Sequence, residues 1–179
     1  IDFPTIQEAL GQYEGVQRRF QCQADIKDIL VIEDYGHHPT EITATIKTAR
    51  VFPQKRVIVV FQPHRYTRTQ YLMDEFVESL SLSDYVVLTD IYAASEKPLP
   101  GVNSRELYER IKKKKKIPAV YRRKEEICRH LLKIVKPGDL VIFLGAGDIN
   151  RVGEEFVKEM KGLEANKGRS KLVETGIDW

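Results

Sequence analysis

Two periods of apolar residues alternate along this chain. Solid apolar runs at 28–34 (DILVIED), 56–62 (RVIVVFQ), 84–90 (DYVVLTD), 118–122 and 139–144 (DLVIFL) predict strands, most of them buried on both faces. Between them the spacing becomes helical. Ile42, Ile46 and Ala49 mark one face of a helix over 39–50, and Leu72, Phe76, Val77 and Leu80 mark another over 66–80. Further helices are predicted at 104–114, with Ser104 as N-cap, at 124–135 and at 148–161. Ahead of this series, Pro4, Ile6, Leu10 and Tyr13 predict an amphipathic helix over 4–14 that Gly15 ends. A strand over 16–24 follows, separated from the next by Asp25, Ile26 and Lys27. Strands alternating with helices imply an α/β fold, a mostly parallel sheet with helices on both faces. The first strand pair adds an antiparallel edge strand.

Composition narrows the class. A length of 179 residues suits one packed domain and a short appendage. A net charge of +3 suits acidic metabolites without demanding a nucleic acid. No run approaches the ~20 apolar residues of a membrane span, and no secretory signal opens the chain. Neither a nucleic acid nor a membrane is therefore expected as partner. The chain starts at Ile1 rather than Met, which points to a processed chain or an excised fragment, and of these the fragment is expected. Cys22 and Cys128 form no CxxC pair, so a reducing, cytoplasmic location is expected and a thiolate metal site is not. The lysine run at 112–116 has no aromatic residue within it to stack on bases, and it reads as the solvated last turn of a helix. The polar tail at 163–179 is expected to be partly disordered.

The unusual polar residues follow the strands. In open α/β sheets ligands bind beyond the carboxyl ends of strands, and four such ends here carry chemistry. In EDYGHHPTEI (33–42), Pro39 holds His38 extended and opens a helix whose free N–H groups favour an anion. His37 and His38 can donate to phosphate or carboxylate, and Asp34 can accept from ribose hydroxyls or hold a metal-bound water. Adjacent histidines splay apart and no H-x-x-x-H spacing exists, so no metal ligand set is assigned. In FQPHRYTRT (61–69), Arg65 and Arg68 stand one helical turn apart beside His64, a fork suited to a carboxylate or phosphate. Asp90 and Tyr92 follow the fourth strand. LGAGDIN (144–150) has G-x-G, but Asn150 stands where a dinucleotide fingerprint needs its third glycine. It reads as a tight turn that lets backbone amides approach a ligand. Arg18 and Arg19 either reach phosphates across the site or flank a strand. No P-loop, nucleophile elbow or kinase signature occurs.

GVQRRFQ, EDYGHHPTEI, FQPHRYTRT and LGAGDI, in this order and spacing, resemble the Mur ligase family, and within it the members that join L-alanine to UDP-N-acetylmuramate. The resemblance runs from about Pro4 to Lys161. It implies a carboxy-terminal, Rossmann-like three-layer sandwich at 27–162, with 1–26 finishing a central ATPase domain and its crossover. It also implies ATP and Mg2+ as cofactors of the full-length enzyme, bound only weakly by this fragment, and partners in the amino-terminal and central domains of the same chain. The family reaction phosphorylates the muramoyl carboxylate, and the amine of L-alanine then attacks the acyl phosphate. Residue by residue, the resemblance assigns Arg19 and Asp34 to nucleotide phosphate and ribose, and Tyr35 to adenine. His37 is assigned to orienting the reacting groups, with His38 as support. It also assigns His64, Arg65 and Arg68 to the alanine carboxylate, and Ala146 and Gly147 to the lining of the amino-acid pocket. Family members more often carry Asp-Asp before the tyrosine, where this chain has Glu33 and Asp34. From other classes, a non-catalytic nucleotide- or anion-binding regulatory module and a nucleic-acid-binding domain remain open; by itself the fragment is expected to be inactive.

Overall fold

The structure, a computed structural model, describes residues 1–12, 15–54, 56–115 and 117–174. The strands are β1 (Gln21–Ile26), β2 (Ile29–Asp34), β3 (Arg56–Phe61), β4 (Tyr85–Leu88), β5 (Ala119–Tyr121) and β6 (Asp139–Leu144). The helices are α1 (Phe3–Gly11), α2 (Pro39–Ala49), α3 (Tyr66–Tyr71), α4 (Met73–Leu80), α5 (Ser104–Lys115), α6 (Lys124–Ile134) and α7 (Ile149–Glu174). The strands form one sheet in the order β1-β2-β6-β3-β4-β5. Only β1 runs antiparallel to its neighbour, so the predicted three-layer sandwich with an antiparallel edge strand is what forms.

The strands are apolar on both faces because helices cover both. Val57, Val59 and Phe61 of β3 meet Ile42, Phe76, Leu80, Leu107 and Ile111 from α2, α4 and α5. Ile58 and Val60, pointing the other way, meet Ile127 and Leu131 of α6 and Phe156 of α7. At the amino-terminal edge Arg56 grips the wholly buried Asp139 with Nε and Nη2, at 2.8 and 2.5 Å, and also donates to the Ile134 carbonyl. This contact ties β3, β6 and the end of α6 together.

Several boundaries differ from those predicted. β1 starts at Gln21 rather than residue 16, because Arg18 and Phe20 adopt left-handed backbone (φ 58° and 44°) that no strand continues through. The turn is Lys27–Asp28, both at positive φ, as a two-residue hairpin of this twist demands. The helix over 66–80 breaks at Leu72 (φ −114°, ψ 25°) into α3 and α4. Asn103, not Ser104, caps α5: its Oδ1 accepts from the Glu106 N–H at 3.0 Å, and Ser104 begins the helix itself. α7 continues to Glu174, where a partly disordered tail was expected, since Glu, Ala, Lys and Arg there are good helix formers. Residues 175–179 of that tail, Lys116 of the lysine run and residues 13–14 of the first helix lie outside the described residues. α1 buries none of its residues, and Phe3, Ile6 and Leu10 stand exposed.

No helix among the described residues is long and apolar enough to cross a membrane.

Candidate functional site

The parallel register aligns four carboxyl ends. Asp34 pairs with Leu144, Leu144 with Phe61, and Phe61 with Leu88. The loops that leave these ends therefore emerge side by side on one rim, where β6 returns between β2 and β3 and the strand order switches.

At the β2 end, Asp34 is buried and both carboxylate oxygens are engaged. Oδ2 accepts from the Phe20 N–H at 2.8 Å and Oδ1 from the Gly36 N–H at 2.7 Å. It anchors the turn that carries Arg18 and Arg19, leaving only second lone pairs for a ligand. The Tyr35 N–H donates to the Arg18 carbonyl at 2.7 Å, and the Tyr35 ring lies 4.9 Å from the Arg18 guanidinium and 5.6 Å from that of Arg19. The His37 ring sets its edge against Tyr35 and tilts towards His64, with centroids 5.4 and 5.5 Å apart. His38 is exposed and caps α2. Glu41 completes the capping box, accepting from the N–H groups of both His37 and His38. Burial raises the Glu41 carboxyl pKa, but these amides and the nearby His37 and Arg19 outweigh it and leave the group below its usual range.

At the β3 end, His64 forms a parallel bridge with Tyr92 and stacks on its ring at 5.6 Å. Its Nδ1 lies 3.1 Å from Nη1 of Arg68, so the neutral imidazole accepts there. Burial, then the cations Arg68, His37 and Arg65, hold the His64 pKa below the usual histidine value, with Glu96 opposing. Arg65 does not share a helical face with Arg68 as predicted. It is the N-cap of α3 at φ 72°, outside the helical repeat, held by its N–H on the Tyr92 carbonyl. Arg68 folds back onto His64, while Arg65 is exposed.

At the β6 end, Gly145 takes φ 152°, and a Cβ there would lie 2.9 Å from the Gln62 carbonyl oxygen. A Cβ on Gly147 would lie 2.3 Å from Gln62 Oε1 and 2.7 Å from Tyr92 Cγ, so this glycine is what lets Tyr92 close over the turn. Ala146 sits between them, partly exposed. Asp148 accepts from Gln62 Nε2 at 2.8 Å and pairs with Lys124 Nζ at 2.6 Å. Burial raises its pKa, and those two contacts outweigh it, leaving it below the usual value.

The geometry brings Tyr35, His37, His64, Arg68 and Gly147 into one chain of contacts, with Arg19 at one end. His38 is turned to capping and Arg65 to the helix start. Sequence reasoning missed Gln62, Glu41, Lys124 and the placement of Arg18. Of these, only Glu41 carried a legible signal, three residues after the capping His38.

The balance of charge decides what the rim can hold. Its carboxylates are engaged: Asp34 and Glu41 by amides, Asp148 by Lys124 and Gln62, and Asp90 by the Tyr121 hydroxyl at 2.5 Å. No carboxylate among the described residues is in salt-bridge contact with Arg19, Arg65 or Arg68. No group of three or more His, Cys, Asp or Glu among those residues is placed to hold a metal ion. The lysine run is partly engaged, with Lys114 on Asp74 at 3.2 Å and Lys112 over the Tyr108 ring at 5.0 Å.

The fold is an open, mostly parallel α/β domain, with Arg19, Arg65 and Arg68 lacking salt-bridge carboxylates among the described residues at the switch in strand order. The family described as Mur ligase, glutamate ligase domain, matches residues 18–147, and the chain belongs to it. It is 48% identical over 163 residues to the UDP-N-acetylmuramate–L-alanine ligase of Geotalea uraniireducens, covering 90% of this chain and 36% of that protein. With the enzyme of the same name from Dictyoglomus turgidum it shares 50% over 160 residues, 88% of this chain and 34% of that one. Among solved structures, the UDP-N-acetylmuramate–alanine ligase of Thermotoga maritima superposes with a TM-score of 0.70 at 29% identity, over 90% of this chain and 34% of that chain. A murein peptide ligase of Psychrobacter arcticus, 21% identical with a TM-score of 0.69 over 86% of this chain and 32% of that one, shares the fold. The chain thus spans about a third of the length of these relatives.

Proposed function

We propose that this chain is the carboxy-terminal domain of an ATP-dependent ligase that forms the amide between UDP-N-acetylmuramate and L-alanine in cytoplasmic peptidoglycan precursor synthesis. The observation that carries this reading is the rim of cations without carboxylate partners, on a domain so similar to enzymes of that name. Residues 1–26 bring the chain in from a central ATPase domain, with β1 the point at which the crossover joins the sheet. The exposed Phe3, Ile6 and Leu10 of α1 are suited to packing on that domain. Residues 27–162 supply the ligase rim, and the amino-terminal domain would hold the UDP sugar.

The donor set fits the substrates. Arg19, exposed beside the Tyr35 ring, presents a full positive charge to a nucleotide phosphate, and Tyr35 offers a surface to adenine. Asp34 acts towards the ribose mainly by holding this turn, since both its oxygens are engaged. His64, Arg65 and Arg68 receive the alanine carboxylate, with Ala146 and Gly147 beneath it. A carboxylate drawn by Arg68 leaves the amine free to face His37, and His38 keeps that segment in place by capping α2. ATP would supply the phosphoryl group that activates the muramoyl carboxylate, and Mg2+ would neutralise its charge; the residues of this rim orient the amine.

The test is steady-state kinetics on the complete enzyme, expressed from the full reading frame, with each substrate varied in turn. Phosphate release should require L-alanine, UDP-N-acetylmuramate and ATP together. Arg65→Lys and Arg68→Ala should each raise the KM for alanine far more than that for ATP. Loss of one charge-assisted contact costs roughly 2–3 kcal/mol, one to two orders of magnitude in alanine specificity. Release that ignores alanine, or variants whose alanine kinetics match the parent, would sink the assignment.

A further inference from the structure

Arg18 lies beneath both halves of the rim, and no role towards a ligand accounts for how it is held. Its backbone is left-handed at φ 58°, its N–H donates to Gln21 Oε1 at 2.9 Å, and its carbonyl receives the Tyr35 N–H. Its guanidinium is shared three ways. Nε lies 2.6 Å from Oε1 of Glu33, a carboxylate that is itself buried and braced by Gln23 at 2.8 Å. Nη2 donates to the carbonyls of Gly145 and Gly147, at 2.7 and 3.2 Å. The guanidinium carbon sits 4.9 Å from the centre of the Tyr35 ring.

We infer that Arg18 is a positioning residue that holds the nucleotide platform at Tyr35 and the amino-acid turn at Gly145–Gly147 in one fixed relation. This rests on the functional reading above for what the two halves bind, but the strut itself is a matter of geometry. A planar fork with donors in fixed directions can donate to two carbonyls while its charge stays against a carboxylate, here an ion pair rather than a hydrogen bond; an ammonium on a flexible stem holds no such fixed geometry. The contacts also set Arg19. The Tyr35 N–H and the Phe20 N–H pin the turn on either side of it, through the Arg18 carbonyl and through Asp34. Occupying one half of the rim thereby stiffens the other, because both halves share one rigid link. Glu33 has its place in this arrangement. Gln21 pairs with it across the β1–β2 ladder, and at that position its carboxylate reaches Arg18 and Gln23 together.

The decisive variant is Arg18→Lys in the complete enzyme, which keeps a charge beside Glu33 and removes the fork. Hydrogen exchange should quicken by about tenfold over residues 143–149 and 33–38, the loss of two modest hydrogen bonds, while β3 at 56–61 exchanges as in the parent. The KM values for alanine and for ATP should rise together, unlike in Arg65→Lys, where that for alanine should rise far more. Arg18→Ala, severer in both respects, should regain activity when free guanidinium ion is added at millimolar concentration. Parental exchange at both segments in Arg18→Lys overturns the inference, as does a lowered melting temperature with both KM values unchanged. If the parent enzyme shows no alanine-dependent phosphate release, the functional reading fails, and the exchange experiment still decides whether Arg18 is the strut.

Discussion

Single side chains at the rim are held by neighbours whose chemistry makes their substitution readable. Gly147 leaves no room for a methyl: the obstruction is the base of the Tyr92 side chain, which cannot swing aside without its backbone, and the buried Gln62 amide. Gly147→Ala should cost about 1–3 kcal/mol of stability, as overpacking does, read as a lower denaturant midpoint with an unchanged m-value. It should also unstack Tyr92 from His64 and weaken alanine binding, whereas Ala146→Ser should be mild. His64 contributes to the pH dependence, beside His130, whose pKa burial and the cations Arg122 and Lys133 also lower. The folded pKa of His64 is held below the ordinary histidine value of 6.5, so above that value it is neutral folded or unfolded and contributes nothing. As pH falls below 6.5, the unfolded chain takes up a proton that the folded chain resists, and stability drops until the folded pKa is passed. Thermal melts between pH 7.5 and 5 should therefore fall more steeply for the parent than for His64→Asn. Parallel slopes would show that His64 does not sense the cations around it.

Elements owe their positions to contacts that the chain's own periodicity does not announce. Arg56 reaches from the first residue of β3 to Asp139 at the first residue of β6, and Asp139 also accepts from the Lys136 N–H at 2.8 Å. Breaking such a pair strands a charge. Asp139→Ala should destabilise by about 2–3 kcal/mol, less than for a fully buried pair because Arg56 keeps 28% of its side chain exposed. Chemical denaturation would show it as a lower midpoint, and double-mutant analysis with Arg56→Met should recover part of the loss. Additive losses would mean that the two side chains act independently. The break between α3 and α4 belongs to this scale too: Leu72 leaves the helical region at φ −114° and ψ 25°, and a second helix starts at Met73.

At the scale of the whole molecule, the proposed function makes the rim one wall of a site. Its cations sit on an open edge, while a groove of about 550 Å³ lies elsewhere, between α2 and α4, lined by Pro39, Thr43, Asp74 and Leu82 among others. A wall without its opposite face binds poorly, because the cost of immobilising a ligand must be met by fewer contacts. Calorimetry on this chain alone should give ATP binding no tighter than roughly millimolar. No alanine-dependent phosphate release should be seen, since the chain carries no P-loop. Micromolar binding would point instead to a self-sufficient nucleotide module.

Local pattern was enough to predict the sheet and both helical layers, because burial on one or two faces writes itself into the order of apolar residues. The segments that meet at the rim were legible for the same reason: chemistry-bearing residues stood at the ends of predicted strands, and four motifs in one order carried the family likeness. What each side chain does was decided only in three dimensions. Asp34 and Asp148 were spoken for by partners on other segments, Phe20 and Lys124, that no spacing rule connects to them. Arg65 lost its helical register to a positive φ set by the Tyr92 carbonyl. Arg18 and Arg19, neighbours of one type in the sequence, parted ways because the left-handed turn sends the first beneath Tyr35 to the glycine carbonyls and leaves the second exposed. Apolar periodicity is a property of neighbours along the chain, whereas a hydrogen bond across 127 residues depends on the strand order that brings its ends together.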